Sequence, residues 1–202
     1  MSRDDRLLFL LFASSGFAAL VYQVVWQRSL FAIYGINVEA VTVVVTAFML
    51  GLGIGSIVGG ALSKNPDRPA LLSFAAIEIS IGVFGFASLA IFHAVGAATL
   101  QLPPVGTAVV TFLLVLVPTL LMGATLPLLV AHKVRESGNV GVSVGTLYCI
   151  NTLGSALACF ATVLWLMPML GQALSVMAAG LLNVAVGLGA IMLNLRGGRG
   201  TE

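Results

Sequence analysis

Six long apolar stretches, separated by short polar breaks, constrain this chain more than any other feature. They cover residues 7–31, 40–62, 69–95, 105–131, 140–167 and 170–195. A helix needs about 20 mostly apolar residues to cross the hydrocarbon core of a bilayer. The chain is 59% hydrophobic and only 8% charged, whereas soluble domains carry roughly 25% charged residues. The sequence therefore predicts an all-α membrane protein with six transmembrane helices, forming a single domain over residues 1–202 with no soluble domain.

The breaks between the stretches carry turn-forming and charged residues. Charge and proline mark SKNPDR (63–68), a Pro-Pro step marks TLQLPPVG (99–106), and HKVRESGNVG (132–141) is the most polar segment. The weakest boundary is MPMLGQ (167–172), where Pro168 and Gly171 are expected to separate the fifth and sixth stretches. The two stretches together far exceed one crossing. A cleaved signal peptide is the alternative interpretation of the first stretch, although its apolar length fits a full crossing better.

Lys and Arg are distributed asymmetrically about the six stretches. With six crossings, eight of the nine Lys and Arg residues lie on one side of the membrane and only Arg28 lies on the other. The cytoplasmic loops of membrane proteins carry an excess of Lys and Arg. Both termini are therefore expected in the cytoplasm, and the protein is expected in the inner membrane of the cell. Arg28 is expected to reach the lipid headgroups or to pair with Glu39. The net charge of +2 is too small to indicate nucleic-acid binding.

A glycine-rich segment, GLGIGSIVGG (51–60), lies inside the second stretch. It lacks the third glycine of a dinucleotide-binding G-x-G-x-x-G pattern, and the chain has no Walker A motif, so a phosphate-binding loop is not predicted. Small residues four apart share one helix face and let a neighbouring backbone approach closely in a membrane. The segment is therefore predicted to pack against another helix. The residues assigned to this packing are Gly51, Gly53, Gly55, Gly59 and Gly60.

A similar Gly-Ser step recurs in the fifth stretch. Gly55-Ser56 and Gly154-Ser155 are 99 positions apart, about half the chain. Three spans followed by three related spans suggest a 3+3 inverted repeat, the plan found inside six-helix transporter halves. In the fourth stretch, Gly123 and Pro127 form a candidate hinge, because proline removes one backbone donor and bends a helix. The alternative is that these two residues only shape the helix for packing and do not form a hinge.

Polar residues inside the apolar stretches define the candidate functional site, because such residues are costly in a membrane. Glu78 lies roughly 13 Å into the bilayer, counted at 1.5 Å per residue from the start of the third stretch. Asn151 and Tyr148 lie at a similar depth in the fifth stretch, so these residues are predicted to line a substrate or proton path. A structural hydrogen bond between the third and fifth helices is the alternative. Tyr22, Gln23 and Trp26 lie nearer the outer face, and the two aromatic residues among them are interpreted as part of an interfacial belt.

The remaining reactive residue types give no site. Cys149 and Cys159 are interpreted as small packing residues, since ten helical positions separate them by roughly 15 Å, too far for a disulfide. His93 and His132 lie at opposite ends of spans and are interpreted as interfacial. The sequence contains no nucleophile–base pair, metal-ligand spacing or cofactor motif. We therefore expect no catalytic residue, no metal and no cofactor.

Four motifs, in order along the chain, resemble the integral membrane region of spermidine synthase-like membrane proteins. They are SGFAALVYQVVWQRSL (15–30), AFMLGLGIGSIVGGAL (47–62), LLMGATLPLLV (120–130) and VGTLYCINTLGSALACF (144–160). The resemblance extends from residue 7 to about residue 193, and that membrane region resembles one half of a major facilitator superfamily transporter. In many relatives a soluble aminopropyltransferase-like domain follows. The resemblance here covers the membrane region alone, so spermidine synthase activity is not expected.

The resemblance implies two functions, which stay open at this point. In the first, the chain is a transporter of small molecules such as polyamines or organic cations. It would work as a homodimer of six-helix halves, with Glu78 as counter-charge and with Asn151, Tyr148, Gln23 and Tyr22 along the path. In the second, it is a non-transporting membrane module that anchors or scaffolds a separate spermidine synthase-like or other membrane partner. Relatives typically carry Tyr-Glu where this chain has Tyr22-Gln23, which replaces a carboxylate with a neutral amide.

Overall fold

A computed structural model describes residues 2–34, 38–65, 69–99 and 101–199, and these residues are helical almost throughout. Helices α1 to α4 cover Arg3–Tyr34, Val38–Ser63, Ala70–Thr99 and Pro104–Ser137. Helix α5 covers Val140–Ala161, a π-helical segment covers Thr162–Leu166, and helix α6 covers Met167–Arg199. No strand occurs among the described residues. The prediction of an all-helical chain is confirmed.

Five segments among the described residues are long and apolar enough to cross a membrane. They are Arg3–Ile33, Val41–Ser63, Ala70–Thr99, Val105–Ser137 and Val140–Arg196. Length and composition therefore support a membrane protein with five candidate segments rather than the predicted six. The last segment has 57 residues and joins the predicted fifth and sixth spans. A straight helix of that length would measure about 85 Å, far more than the roughly 30 Å of a hydrocarbon core.

The polar segment predicted as a break at 132–141 is largely helical. Helix α4 continues to Ser137 because Lys, Arg and Glu are good helix formers and because His132 contacts Glu136, one turn later, at 3.4 Å. It ends at Gly138, whose φ of 67° is the left-handed conformation that glycine adopts readily. Asn139 then begins α5 by accepting a 3.0 Å hydrogen bond from the Val142 amide.

Contacts along the helices give their relative directions. Asn151 contacts Phe12 and Ser155 contacts Gly16, so α1 and α5 run parallel. Helices α1 and α3 also run parallel, since Ser15 contacts Glu78 and, further along both helices, Ile33 lies beside Gly96. Helices α3 and α6 run antiparallel. A Cβ added at Gly82 would lie 2.8 Å from the Gly180 oxygen, whereas one at Gly187 would lie 2.9 Å from the Ala75 oxygen.

The chain reverses direction between α5 and α6, because α5 runs with α1 and α3 whereas α6 runs against them. The backbone break lies at Gly171, whose φ of 71° and ψ of −176° are not helical. Pro168, the other residue expected to separate the two spans, lies within the helical stretch before the break. Glycine provides the reversal because it alone adopts this positive φ without strain.

An aromatic cluster around Trp26 forms the core between α1 and α3. Trp26 and Tyr22 are both fully buried, and their rings stack with centroids 4.8 Å apart. Phe84 and Phe92 meet the Trp26 ring edge-on at 5.6 and 5.8 Å. The interpretation of Tyr22 and Trp26 as a lipid-facing belt is therefore wrong. A belt residue faces the headgroups, whereas both of these side chains face α3.

Replacing Ser88 with alanine is expected to lower the free energy of unfolding by about 1–3 kcal/mol. The indole Nε1 of Trp26 donates a 2.9 Å hydrogen bond to the Ser88 hydroxyl, and both groups are buried. The substitution leaves this N–H without a partner. Thermal unfolding in detergent measures the change, with Ser80→Ala as the control, because exposed Ser80 bonds only to Ala76 of its own helix. Equal melting temperatures for the two variants would contradict the prediction.

Candidate functional site

Glu78 lies at the centre of the bundle, with both carboxylate oxygens paired and its side chain fully buried. The Ser15 hydroxyl of α1 donates to Oε1 at 2.6 Å. The Asn183 amide of α6 donates to Oε2 at 2.6 Å. The carboxylate therefore links three helices. Hydrogen bonds to a charged group are strong, and burial makes the loss of one partner costly.

A cavity of about 110 Å³ adjoins this network, and every helix contributes to its wall. Its polar wall residues are Ser15, Gln23, Thr125, Asn151, Ser155 and Asn183. Phe48 and Leu52 of α2 and Ile81 of α3 supply apolar wall. The volume corresponds to about three water molecules at roughly 30 Å³ each. The cavity is therefore a small space with several polar wall residues in the middle of an apolar bundle.

One polar atom at this site has no hydrogen-bond partner. Asn183 is only 2% exposed, its amide nitrogen is bonded to Glu78, and its Oδ1 is buried without a partner. Buried polar atoms are nearly always hydrogen-bonded in folded proteins. A ligand or water molecule that donates a hydrogen bond would satisfy this oxygen.

The structure brings together only some of the predicted path residues. Gln23 and Asn151 line the cavity. Tyr22, the residue before Gln23, is buried against Gly85 of α3, and its hydroxyl has no hydrogen-bond partner. Tyr148 does not join them, because its side chain is 61% exposed on the outside of α5. The alternative, a hydrogen bond between the third and fifth helices, is also wrong. Glu78 bonds to α1 and α6, whereas Asn151 donates to the Phe12 carbonyl at 3.1 Å.

Sequence reasoning missed Ser15 and Asn183, the two direct partners of Glu78. Asn183 lies in the apolar segment LLNVAVG of the last stretch. The principle that singled out Glu78, that polar residues inside a span are costly, applies equally to this amide. Ser15 gave a weaker signal, since serine is common in membrane helices and often bonds to its own backbone.

The glycines of α2 are divided between two faces. Gly51, Gly55 and Gly59 lie directly against Thr119, Leu120 and Ala124 of α4. Gly53 and Gly60 were expected to widen this face, but an added Cβ at either would meet nothing within 4 Å. They point away from the α2–α4 contact because glycines two or five positions from Gly55 lie on other sides of a 3.6-residue helix.

Gly154 and Ser155 of α5 contact α1 in the same way as Gly55 and Ser56 contact α4. Ser155 donates to the Gly16 carbonyl at 3.0 Å, and Ser56 donates to the Gly123 carbonyl at 3.1 Å. Gly123, a predicted hinge residue, lies against Leu52 of α2 within a continuous α4. Pro127 also lies inside α4. The hinge stays a prediction, and Gly123 has a packing contact of its own.

Charged residues link the beginning of α1 to the end of α4. Lys133 pairs with Asp5 and contacts Glu136 at 2.8 Å. Arg135 donates to the backbone oxygen of Ser63, at the end of α2, at 2.9 Å. These contacts tie together the ends of three helices on one side of the bundle. The side chain of Glu39, the expected partner of Arg28, lies outside the described part of the chain.

Lys133→Gln is expected to lower the free energy of unfolding by at most about 1 kcal/mol, since ion pairs near water are weakened by solvent. The side chains of Lys133 and Asp5 are 17% and 19% exposed. The effect should shrink as salt is added. Unfolding at low and high salt measures it against Lys64→Gln, which removes an exposed lysine at the same side of the bundle. A salt-independent loss would contradict the ionic origin.

The remaining predicted residues lie on the outside. Cys149 and Cys159 are both exposed, so their interpretation as packing residues of the bundle is wrong. His93 is exposed and His132 is partly exposed. Within the described ranges, no group of three or more His, Cys, Asp or Glu side chains is arranged to hold a metal ion.

Two curated proteins are similar to this chain. It is 25% identical over 178 residues to polyamine aminopropyltransferase 1 of Streptomyces coelicolor, covering 88% of this chain and 32% of that protein. It is 26% identical over 190 residues to the polyamine aminopropyltransferase of Corynebacterium efficiens, covering 90% of this chain and 34% of that protein. The chain thus spans about a third of the length of the curated relatives it matches.

No family model and no solved structure matches the chain. The two similarities agree with the expected membrane region of spermidine synthase-like proteins, as a partial and distant likeness. The likeness to half of a major facilitator transporter stays a prediction.

Proposed function

We propose that this chain is the membrane unit of a carrier for small organic cations. The observation that carries the proposal is the buried Glu78 carboxylate beside a central polar cavity lined by every helix. Ionisable groups inside a membrane bundle are costly and usually mark a substrate or ion pathway. The unpaired Asn183 Oδ1 adds a second acceptor at the same place. A carboxylate together with a free acceptor suits an ammonium group, which only donates hydrogen bonds.

We further propose that the chain crosses the inner membrane six times, with both termini cytoplasmic. The reversal at Gly171 and the antiparallel packing of α6 against α3 support two crossings within Val140–Arg196. The six crossings would form two inverted halves, α1–α3 and α4–α6. Such repeats typically place the substrate site at their interface, near the midplane of the membrane.

The contacts between α3 and α6 support this inverted repeat. Glu78 and Asn183 are 105 positions apart and bond to each other. A shift of 105 positions also relates Gly82 to Gly187, and under this shift the contacts of one glycine correspond to the contacts of the other. Gly82 lies against Gly180 and Val184, whereas Gly187 lies against Ala75 and Ile79, the positions related by the same shift. Glu78 and Asn183 therefore occupy equivalent positions on the proposed axis.

The contacts of the other four helices follow the same relation. Helix α2 packs on α4, and α5 packs on α1. The Ser56–Gly123 bond corresponds to the Ser155–Gly16 bond, when α2 is matched to α5 and α1 to α4. Two matched hydrogen bonds of 3.1 and 3.0 Å are a sharper sign of a repeat than one Gly-Ser step in the sequence.

Polyamines are the first substrates to test, because both relatives are named polyamine aminopropyltransferases. The cavity of about 110 Å³ holds only an end group of such a molecule, so the bundle must open to pass it. We propose that two copies form the working carrier, with opening centred on Gly123 and Pro127 of α4. Asn151 and Gln23 would then contact the substrate, since both line the cavity.

Uptake into proteoliposomes tests this function. Purified protein would be offered labelled putrescine, spermidine and an uncharged amide of similar length, with and without a pH gradient. Saturable uptake of the amines alone is the expected result. Equal uptake of the uncharged amide would contradict a cation site, and no uptake of any compound by folded protein would contradict the carrier.

A second function is favoured by one specific observation. Both oxygens of Glu78 are already hydrogen-bonded within the chain, as expected for a structural tie between helices. On this proposal the chain is a non-transporting membrane module that anchors or scaffolds a separate aminopropyltransferase-like or other membrane partner. Retention of such a soluble enzyme on vesicles that contain the chain, and its loss from empty vesicles, would favour the module.

A further inference from the structure

A cleft of about 610 Å³ lies between the second half of α1 and the region where α5 gives way to α6. Its polar wall comes from Gln27 and Arg28 of α1 and from Gln172 of α6. Phe31 and Val163 are among its apolar wall residues. The volume is within the range of roughly 300–1,000 Å³ for small-molecule sites. This outer cleft is separate from the central cavity, which is lined by other residues of α1.

Arg28 gives the outer cleft its charge. The guanidinium is exposed, and within the described part of the chain no acidic side chain or hydrogen-bond acceptor pairs with it. The acidic side chains that the structure describes are Asp4, Asp5, Glu78 and Glu136, and they lie at the centre or at the opposite end of the bundle. A guanidinium without an acidic partner among the described residues, beside two amide groups, favours an anion, and its planar donors match the oxygens of a phosphate.

The backbone at the outer cleft departs from a regular helix. The π-helical segment Thr162–Leu166 and the break at Gly171 adjoin it. π-helical turns are rare and often lie at functional sites. After the break, α6 resumes at Gln172, and the beginning of a helix adds a positive partial charge near the guanidinium.

The surroundings of the outer cleft indicate access from the lipid. Leu164, Trp165 and Met169 are 57%, 60% and 79% exposed. Exposed tryptophan is typical of the headgroup level of a membrane. A ligand with an anionic head and apolar chains therefore fits both the polar wall and the apolar rim.

We propose that the outer cleft binds the phosphate group of an anionic phospholipid, with Arg28 as the principal donor and Gln27 and Gln172 as supporting donors. The apolar wall and the exposed rim contact the acyl chains. This site is independent of the proposed transport function, because it needs neither Glu78 nor the central cavity.

The test is thermal unfolding of the purified chain in detergent, titrated with phosphatidylglycerol, phosphatidylcholine or inorganic phosphate. Phosphatidylglycerol is expected to raise the melting temperature at a concentration about tenfold lower than phosphatidylcholine does. Arg28→Gln should remove that preference. The control Arg196→Gln removes an exposed arginine at the opposite end of the bundle and should keep it.

Two outcomes would overturn the proposal. One is an unchanged lipid preference in Arg28→Gln. The other is stabilisation by inorganic phosphate equal to that by phosphatidylglycerol, which would indicate a site for free anions. Gln172→Leu provides a second test that keeps the arginine, in case Arg28→Gln does not fold. It should weaken the preference severalfold, and an unchanged preference in this variant would also count against the lipid site.

Discussion

Glu78→Gln is expected to reduce polyamine uptake at least about 30-fold, since loss of a buried charge partner costs on the order of 2 kcal/mol or more. The chain should still fold. Glutamine has nearly the same shape, and its amide oxygen accepts from Ser15 as the carboxylate does. Its amide nitrogen can donate to the Asn183 oxygen, which has no partner in the native chain, once the Asn183 amide rotates. The negative charge is lost, and the Asn183 oxygen becomes paired while its amide nitrogen gives up the bond to residue 78.

Uptake of labelled spermidine into proteoliposomes measures this effect, beside melting temperatures of the same preparations. Glu136→Gln is the matched control, because it makes the same chemical change at a side chain that is 50% exposed. It should transport normally. Normal uptake by Glu78→Gln would remove Glu78 from the path. Lost uptake with a melting temperature far below that of the native chain would indicate a structural tie, as in the module proposal.

The depth of the polar residues along their helices could be predicted from the sequence, whereas the helix face on which each side chain lies could not. Counting along a helix places Glu78 and Asn151 at similar levels, and both residues adjoin one site. The same count placed Tyr148 there, and the structure turns it outward. Membrane helices are apolar on every side, so the hydrophobic pattern does not indicate which face is buried. The direction depends on packing against neighbouring helices.

The boundary between the last two membrane spans was also only partly predictable from the sequence. Pro168 and Gly171 were both expected to separate the last two spans, and helical structure runs through the proline. Proline within a membrane helix is tolerated when the freed backbone groups find other partners. Gly171 changes the chain direction through a backbone conformation that composition does not reveal. Length and apolarity alone therefore join Val140–Arg196 into one segment.

Gly55→Leu is expected to lower the free energy of unfolding by at least about 3 kcal/mol, at the upper end of the cost of overpacking. A Cβ at this position would overlap the backbone oxygen of Leu120 and lie 3.0 Å from the Gly123 Cα. Backbone atoms cannot rotate away as a side chain can, so α2 and α4 must separate. For a chain of this size the melting temperature should fall by about 6–12 °C.

Gly53→Leu is the matched control on the same helix, since an added Cβ there meets nothing within 4 Å. It should unfold at or slightly above the native temperature, because leucine favours a helix more than glycine does. Leucine substitutions at Gly59 and Gly60 provide a second comparison of this kind. Gly59 lies against Ala124, whereas an added Cβ at Gly60 meets nothing within 4 Å. Equal losses at Gly53 and Gly55 would mean that the open face of α2 is also covered. A second copy of the chain packed on that face, as in the proposed dimer, is the occupant that such a result would indicate.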